Sequence, residues 1–168
     1  MKLKKIIISL LILIVVPGCI SSFFKEPAPT FSNDIIYNDP SPGFVRLNNY
    51  IYPAWKNTKN GSVISLISDC TENLYDIKTI HTLINDSLDQ FKVVSEKMTQ
   101  LENGHQSYFR RLKGQIDSKP VEVQVYSFQH KKCNYLASLS GDPQKISADL
   151  SAFQNFNKLI NFKDNTKK

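Results

Sequence analysis

The sequence predicts an α+β domain with one antiparallel sheet of about five to six strands and helices packed on both faces. Runs with strand character are interrupted by two segments of helical periodicity, whereas strict alternation would favour a parallel sheet. Residues 63–67 are apolar at positions facing both sides, as expected of a central strand that is covered on both sides. Asn60-Gly61, between two strand-like runs, is a strong hairpin signal.

The predicted elements begin after a turn cluster at 39–43. In chain order they are strand 44–47, hairpin strands 53–57 and 62–68, helix 76–91, strands 92–101, 106–113, 121–126 and 133–139, and a closing helix from about 146 to 160. The later strands are assigned from period-two alternation, for example Val121, Val123 and Val125 against the polar residues between them.

The predicted helix over 76–91 rests on a stripe of apolar residues at helical spacing. The stripe consists of Ile77, Ile80, Ile84, Leu88 and Phe91, and Asp76 is a suitable N-cap. His81 lies beside this stripe. We interpret it as a partly buried helix residue rather than as a catalytic base.

The N-terminus has the pattern of an export signal. Three lysines among the first five residues precede an apolar run over 6–16. That run is much shorter than the roughly twenty residues of a membrane-spanning helix, so it predicts a signal peptide rather than an anchor.

The stretch Val-Pro-Gly-Cys at 16–19 resembles the bacterial lipobox. The resemblance implies cleavage after Gly18 and a diacylglyceryl group on the sulfur of Cys19. Because Ile20 is not the aspartate that favours inner-membrane retention, the resemblance also implies the outer membrane, on its periplasmic or surface side. The alternative is an ordinary secretory signal with an incidental cysteine.

Composition fits one domain and an exported protein. The predicted segments are a signal peptide over 1–18, a lipidated tether over 19–34, a single domain over 35–162 and a basic tail over 163–168. The net charge of +6 falls to +3 without the three signal lysines. So modest a positive charge, on an exported chain, argues against a nucleic-acid partner.

Cys70 and Cys133 remain once Cys19 is assigned to lipid. An even pair in an oxidising compartment predicts a disulfide between them. The alternative is two buried free thiols. The three histidines show no ligand spacing near either cysteine, so no metal site is predicted.

The order of elements over roughly 44–162 resembles the Mog1/PsbP-like α/β/α sandwich. The matching features are Ala54-Trp55, the hairpin at Asn60-Gly61, helix 76–91, and Ala152-Phe153 through Phe162. The resemblance implies a binding or assembly role rather than catalysis. It rests on order and length, so it carries no functional residue to this chain.

No catalytic motif or cofactor signature is recognised in the sequence. A phosphate-binding glycine loop, a Gly-x-Ser-x-Gly elbow and a His-Glu-x-x-His motif are all absent. Arg110 and Arg111 are neighbours on a predicted strand, so they point to opposite faces and do not form one anion clamp. Trp55 and Tyr52 are candidate partner-binding residues, although packing in the core or at a sheet edge is the alternative use of both.

These observations predict a lipid-anchored protein of the bacterial envelope. Its expected role is a non-catalytic interaction or assembly module with an envelope protein partner. Two other classes remain open: a lipid- or glycan-binding envelope protein, which needs a cavity or an aromatic platform, and an atypical envelope hydrolase, which needs converging polar residues with shifted pKa values.

Overall fold

The computed structural model describes residues 31–48, 50–70, 75–85 and 87–163, without the side chain of Leu83. The strands in this part of the chain are β1 Ile35–Ile36, β2 Phe44–Arg46, β3 Ala54–Asn57, β4 Val63–Asp69, β5 Asp89–Gln100, β6 Gln106–Ile116, β7 Lys119–His130, β8 Cys133–Gly141 and β9 Asn161–Phe162. The helices are α1 Thr82–Asn85 and α2 Leu150–Lys158, the second preceded by a 3-10 segment over Ile146–Asp149.

Seven strands form one antiparallel sheet in the order β2-β3-β4-β8-β7-β6-β5. The hairpin predicted at Asn60-Gly61 joins β3 to β4, and Gly61 has the positive φ of 80° that such a turn uses. The two-stranded sheet of β1 and β9 brings the start and the end of the described fold together. The β6–β7 hairpin was not predicted, because its turn residues Asp117 and Ser118 adopt positive φ without a glycine.

The predicted helix over 76–91 is wrong. Residues 77–81 form turns, α1 is a single helical turn, and β5 already begins at Asp89. The segment is rich in β-branched residues, asparagine and aspartate, which are weak helix formers. Burial of the stripe was nevertheless predicted correctly at two positions, because Ile80 and Leu88 are both buried against the sheet.

The predicted fold class is therefore wrong as well. The described fold is mainly β, with α2 and its 3-10 extension on one face of the large sheet. The opposite face is covered by turns and α1 rather than by a second packed helix. The closing helix was predicted correctly in position, although its first turn is 3-10 and it ends at Lys158.

We name the two faces of the sheet by what covers them. The α2 face carries the main core, in which Trp55, Phe128, Tyr135, Phe153 and Phe156 are almost fully buried. The opposite face, the turn face, buries Leu112, Val123 and Val125. The side chains that pack over them are Ile77, Ile80, Ile84 and Leu88. Alternation along β7 divides its side chains between these two cores.

Helix α2 is too short to cover the whole face on which it lies. Nine residues span about 13 Å, and one helix is about 10 Å wide. Seven strands at about 4.8 Å spacing are about 30 Å across. The helix packs near β8 and β4, so the part of this face formed by β5 and β6 carries exposed side chains.

The described fold starts within the predicted tether. Ser32 is buried, its backbone N–H donates to Ser68 Oγ at 2.8 Å, and its hydroxyl lies 3.0 Å from the hydroxyl of Tyr135. The signal segment 1–18, the lipid attachment at Cys19 and residues 164–168 of the tail lie outside the described residues. In the part of the chain that is described, no helix is long and apolar enough to cross a membrane.

Candidate functional site

Four cationic side chains lie together on the uncovered part of the α2 face. Lys92 of β5 is paired with Lys113 of β6, and Ser95 is paired with Arg111. Lys97 is paired with Phe109 in the next row of the same face. Rows on one face repeat every two residues, about 7 Å apart along a strand.

We call this surface the open face, formed by Lys92, Ser95, Lys97, Phe109, Arg111 and Lys113. The side chains of Lys113 and Arg111 are 51% and 39% exposed, and Lys92 and Lys97 are exposed as well. The four cations lie on two neighbouring strands. The register of β5 and β6 brings them to the same face, where they form one basic surface.

One buried carboxylate lies beneath the open face. Glu122 of β7 is 1% exposed and accepts two hydrogen bonds from Arg111, at 2.7 and 2.9 Å. Burial alone would raise the pKa of Glu122, but the hydrogen bonds from Arg111 and Gln124 outweigh it and the pKa is lowered. Glu122 is thus ionised at neutral pH and holds Arg111 in place. Lys113 lies farther away, with its Nζ 3.7 Å from Glu122 Oε2.

The opposite orientation of Arg110 and Arg111 is as predicted. Arg110 lies on the turn face, where its Nε is 3.2 Å from Glu96 Oε2. Arg111 lies on the α2 face with Glu122. Only Arg111 therefore contributes to the open face.

A small cleft adjoins the open face at the C-terminal end of α2. Its volume is about 180 Å³, and it lies between the last residues of β5 and the helix. The residues that line it include Thr99, Glu102, Tyr126, Gln154, Asn157 and Lys158. Tyr126 faces the same side as Lys97, because both are paired with Phe109.

Polar groups of the cleft are only partly used by the protein itself. Asn157 is 5% exposed, and its Nδ2 donates to the Phe153 carbonyl at 2.8 Å. Its Oδ1 is buried and has no hydrogen-bond partner among the described residues. Burial raises the pKa of Tyr126, so its hydroxyl stays protonated at neutral pH.

A buried serine–histidine pair lies on the turn face. His81 is fully buried, and its Nε2 is 3.0 Å from Ser127 Oγ. Ser127 Oγ donates its one proton to the Ile77 carbonyl at 2.7 Å. The hydrogen-bond network therefore assigns the Nε2–H tautomer to His81, which donates to Ser127.

This pair does not have the arrangement of a nucleophile and its base. A base would accept the serine proton, whereas His81 donates and both side chains are buried. Burial, and then the charge of Arg110, lower the pKa of His81 to about 4. His81 is consequently neutral at pH 7, and it is more deeply buried than the partial burial predicted for it.

The predicted disulfide between Cys70 and Cys133 is confirmed. It closes a loop with a sequence separation of 63. The register explains the pairing, because Asp69 lies opposite Asn134 and the next residues in each direction are the two cysteines. No group of three or more metal-ligating side chains lies together among residues 31–48, 50–70, 75–85 and 87–163.

The two aromatic residues named as candidate partner contacts have different positions. Trp55 is 1% exposed, packs against Phe156 and donates from Nε1 to Asp39 Oδ1 at 3.1 Å. Trp55 therefore packs in the core, which was the alternative interpretation of its role. Tyr52 is half-buried and packs edge-on against Phe31 at 6.5 Å, so partner binding by Tyr52 stays a prediction.

The open face and the cleft were missed by the sequence reasoning. Lys92 and Lys97 lie 21 and 16 residues from Lys113 in the chain, so composition shows no cluster. The signal that could have found them is the pairing of two adjacent strands across the turn at Glu102-Asn103-Gly104. That register places lysine opposite lysine.

Comparisons with known proteins bear on the fold. A scan against family models finds no match, and neither does a search of the curated proteins. Among solved structures, a Pseudomonas aeruginosa protein of unknown function, described as a putative regulator, is similar with a TM-score of 0.53 at 12% identity. The match covers 73% of this chain and 83% of that one, and at this identity it shows similarity of fold alone.

A second similar structure is the solution structure of cyanobacterial PsbP from Synechocystis. Its TM-score is 0.48 at 13% identity, with 79% of this chain and 84% of that chain covered. A PsbP structure is thus among the solved structures to which this chain is similar. No argument about function is drawn from a score this low.

Proposed function

We propose that this protein is a lipid-anchored, non-catalytic interaction module of the bacterial envelope, whose open face binds an acidic segment of a partner protein. The single observation that supports this role is the set of four cations on one uncovered sheet face. The lipobox-like stretch ending at Cys19 supports the address. Binding of this kind needs no catalytic group on the module.

The charge of the open face favours an acidic partner. Glu122 lies beneath the cations, and Arg111 already donates hydrogen bonds to both of its oxygens. Lys92 and Lys97 make no ion pair with another described residue. An acidic segment would neutralise them, and its attraction would weaken as salt is added.

Phe109 gives the surface an apolar centre. It is half-buried between Lys97 and Tyr126, and its ring lies 5.0 Å from the Tyr126 ring. Aromatic residues ringed by polar side chains are typical anchors of protein interfaces. An apolar centre of this kind favours a protein segment as the binding partner over small counter-ions that would only neutralise the charge.

The direct test is cross-linking in cells with the full-length chain and a charge-reversed variant. Lys92→Glu, Lys97→Glu and Lys113→Glu together should abolish capture of the partner without unfolding the protein. The matched control reverses three exposed lysines elsewhere, Lys56, Lys59 and Lys132, and should retain capture. Equal loss in both triple variants, or retention in both, would contradict the proposal.

A further inference from the structure

The large sheet has one long, uncovered edge, which is β5. The two edge strands are β2, with 3 residues, and β5, with 12. At about 3.4 Å per residue, β5 offers an edge of about 40 Å. All of its residues except Val93 and Thr99 are exposed, and no described strand or helix lies along its outer side. Natural sheets usually keep such edges short or covered, so a long open edge indicates a place where another strand can pair.

Only the second half of β5 is regular enough to pair. The register between β5 and β6 shifts between Asp89 and Lys92 and again between Val93 and Ser95, and bulges of this kind obstruct pairing along an edge. From Ser95 to Gln100, by contrast, every residue has a partner on β6 in unbroken register. We call Ser95–Gln100 the regular edge. Alternate residues of such an edge direct both N–H and C=O away from the sheet, where an added strand can bond to them.

The regular edge differs chemically between its two faces. Lys97 lies on the α2 face, where it is part of the open face. Met98 lies on the turn face opposite Tyr108 and is 41% exposed. Glu96 is also on the turn face, but its charge is already paired with Arg110 at 3.2 Å. Successive side chains of an added strand point to alternate faces. The matching strand therefore alternates an acidic residue, beside Lys97, with an apolar residue, beside Met98.

Charge disfavours a second copy of this chain as the added strand. Two copies that pair antiparallel through β5 are related by a two-fold axis perpendicular to the sheet, so their α2 faces lie on the same side. Lys92 and Lys97 of both copies then lie on one face. The regular edge carries no carboxylate on that face, because Glu96 is on the turn face. Like charges across a strand pair are destabilising, which favours an acidic segment of another protein.

We infer that the partner's acidic segment binds as an added strand along the regular edge, with its acidic side chains on the α2 face and its apolar side chains on the turn face. This inference rests on the proposed function, because it gives a conformation and a sequence pattern to the segment that the open face binds. In strand addition, hydrogen bonds between the two main chains supply affinity, and the alternate side chains supply specificity.

The test is hydrogen exchange measured by NMR on the full-length chain, with and without a blocked peptide of about eight residues in which Glu and Val alternate. Backbone amides of the regular edge that exchange freely in the chain alone should become protected when the peptide is added. Amides of β2, at the opposite edge, should not change. The control peptide has the same sequence but is N-methylated at every residue, so it keeps its charge and loses its donors. It should bind about tenfold more weakly, the loss of about one or two hydrogen bonds.

The outcomes separate this inference from the proposed function. New protection in the regular edge, with binding lost when Lys92, Lys97 and Lys113 are all replaced by Glu, supports both. Binding that is lost in this triple variant, but is equal for the two peptides and protects no amide, supports the acidic partner and overturns strand addition. No binding of either peptide contradicts both. Protection that increases with the concentration of the chain alone would assign the edge to a second copy and overturn the inference.

Discussion

Lys92 of β5 lies directly opposite Lys113 of β6, with both side chains on the exposed part of the α2 face. Residues opposite one another in an antiparallel pair have Cβ atoms about 5 Å apart, and like charges there are destabilising. Glu122, whose Oε2 lies 3.7 Å from Lys113 Nζ, is already held by Arg111 through two hydrogen bonds. The like-charge pair of Lys92 and Lys113 therefore reduces stability, which is consistent with a binding role.

Replacing Lys92 with Glu should increase stability and decrease partner binding at the same time. The change converts a like-charge pair with Lys113 into an opposite-charge pair, and we expect a gain of about 0.2–1 kcal/mol in the free energy of unfolding. Urea denaturation at low salt measures it. Lys97→Glu is the matched control, because Lys97 lies opposite Phe109 and relieves no repulsion. A loss of stability in Lys92→Glu would contradict the account.

Stability should fall in mild acid because of His81. The unfolded chain binds this proton near pH 6.5, whereas the folded chain binds it only near pH 4. Unfolding therefore takes up a proton between these pH values, and the free energy of unfolding falls as the pH is lowered through them. The loss is at most about 3 kcal/mol.

The control for this effect is His81→Gln. Its side-chain amide keeps a donor for Ser127 Oγ and does not titrate. Denaturant titrations at a series of pH values should show a smaller dependence between pH 6.5 and 4 in this variant. The same dependence in both proteins would mean that another group is responsible.

The disulfide should contribute substantially to stability. In the chain-entropy model, a loop of this length corresponds to about 4 kcal/mol as an upper value. Cys70→Ala and Cys133→Ala should each lower the melting temperature, and a reducing agent should lower that of the unchanged chain but of neither variant. Non-reducing mass spectrometry should recover the two cysteines in one linked peptide pair. Two alkylatable thiols in protein taken from the envelope would contradict the bridge.

Replacing Cys19 with Ala should release the protein from the membrane fraction or leave it unprocessed, because the lipid-bearing sulfur is removed. Metabolic labelling with a fatty acid, followed by fractionation, measures both effects. Ser21→Ala, two residues farther on, is the matched control and should be labelled normally. Normal lipid labelling of Cys19→Ala would disprove the lipobox interpretation.

Local patterns predicted much of the sheet. The Asn60-Gly61 turn has its own backbone chemistry, and period-two alternation around Val121–Val125 marks a strand without reference to the rest of the chain. The Cys70–Cys133 disulfide could be predicted from the number of cysteines and the expected oxidising compartment alone. Each of these predictions depends on information contained in a few neighbouring residues.

The errors arose where tertiary contacts decide the outcome. Residues 76–91 have apolar side chains at helical spacing, yet turns can direct Ile80 and Leu88 to the same sheet face, and the large sheet selects that arrangement. Neither the open face nor the cleft is visible in the sequence. Lys92 lies opposite Lys113 only because of the strand register. Asn157 and Tyr126 line the same cleft only because of the position of α2.

The most direct test of the proposed role is photo-cross-linking in cells from a single site on the open face. A photoreactive residue at Ser95, between Lys92 and Lys97, should capture one partner through an acidic segment, and added salt should reduce the capture. The same residue at Ser87, exposed in the turn that precedes β5, should capture none. Equal capture from both positions, or a captured segment without acidic residues, would contradict the account.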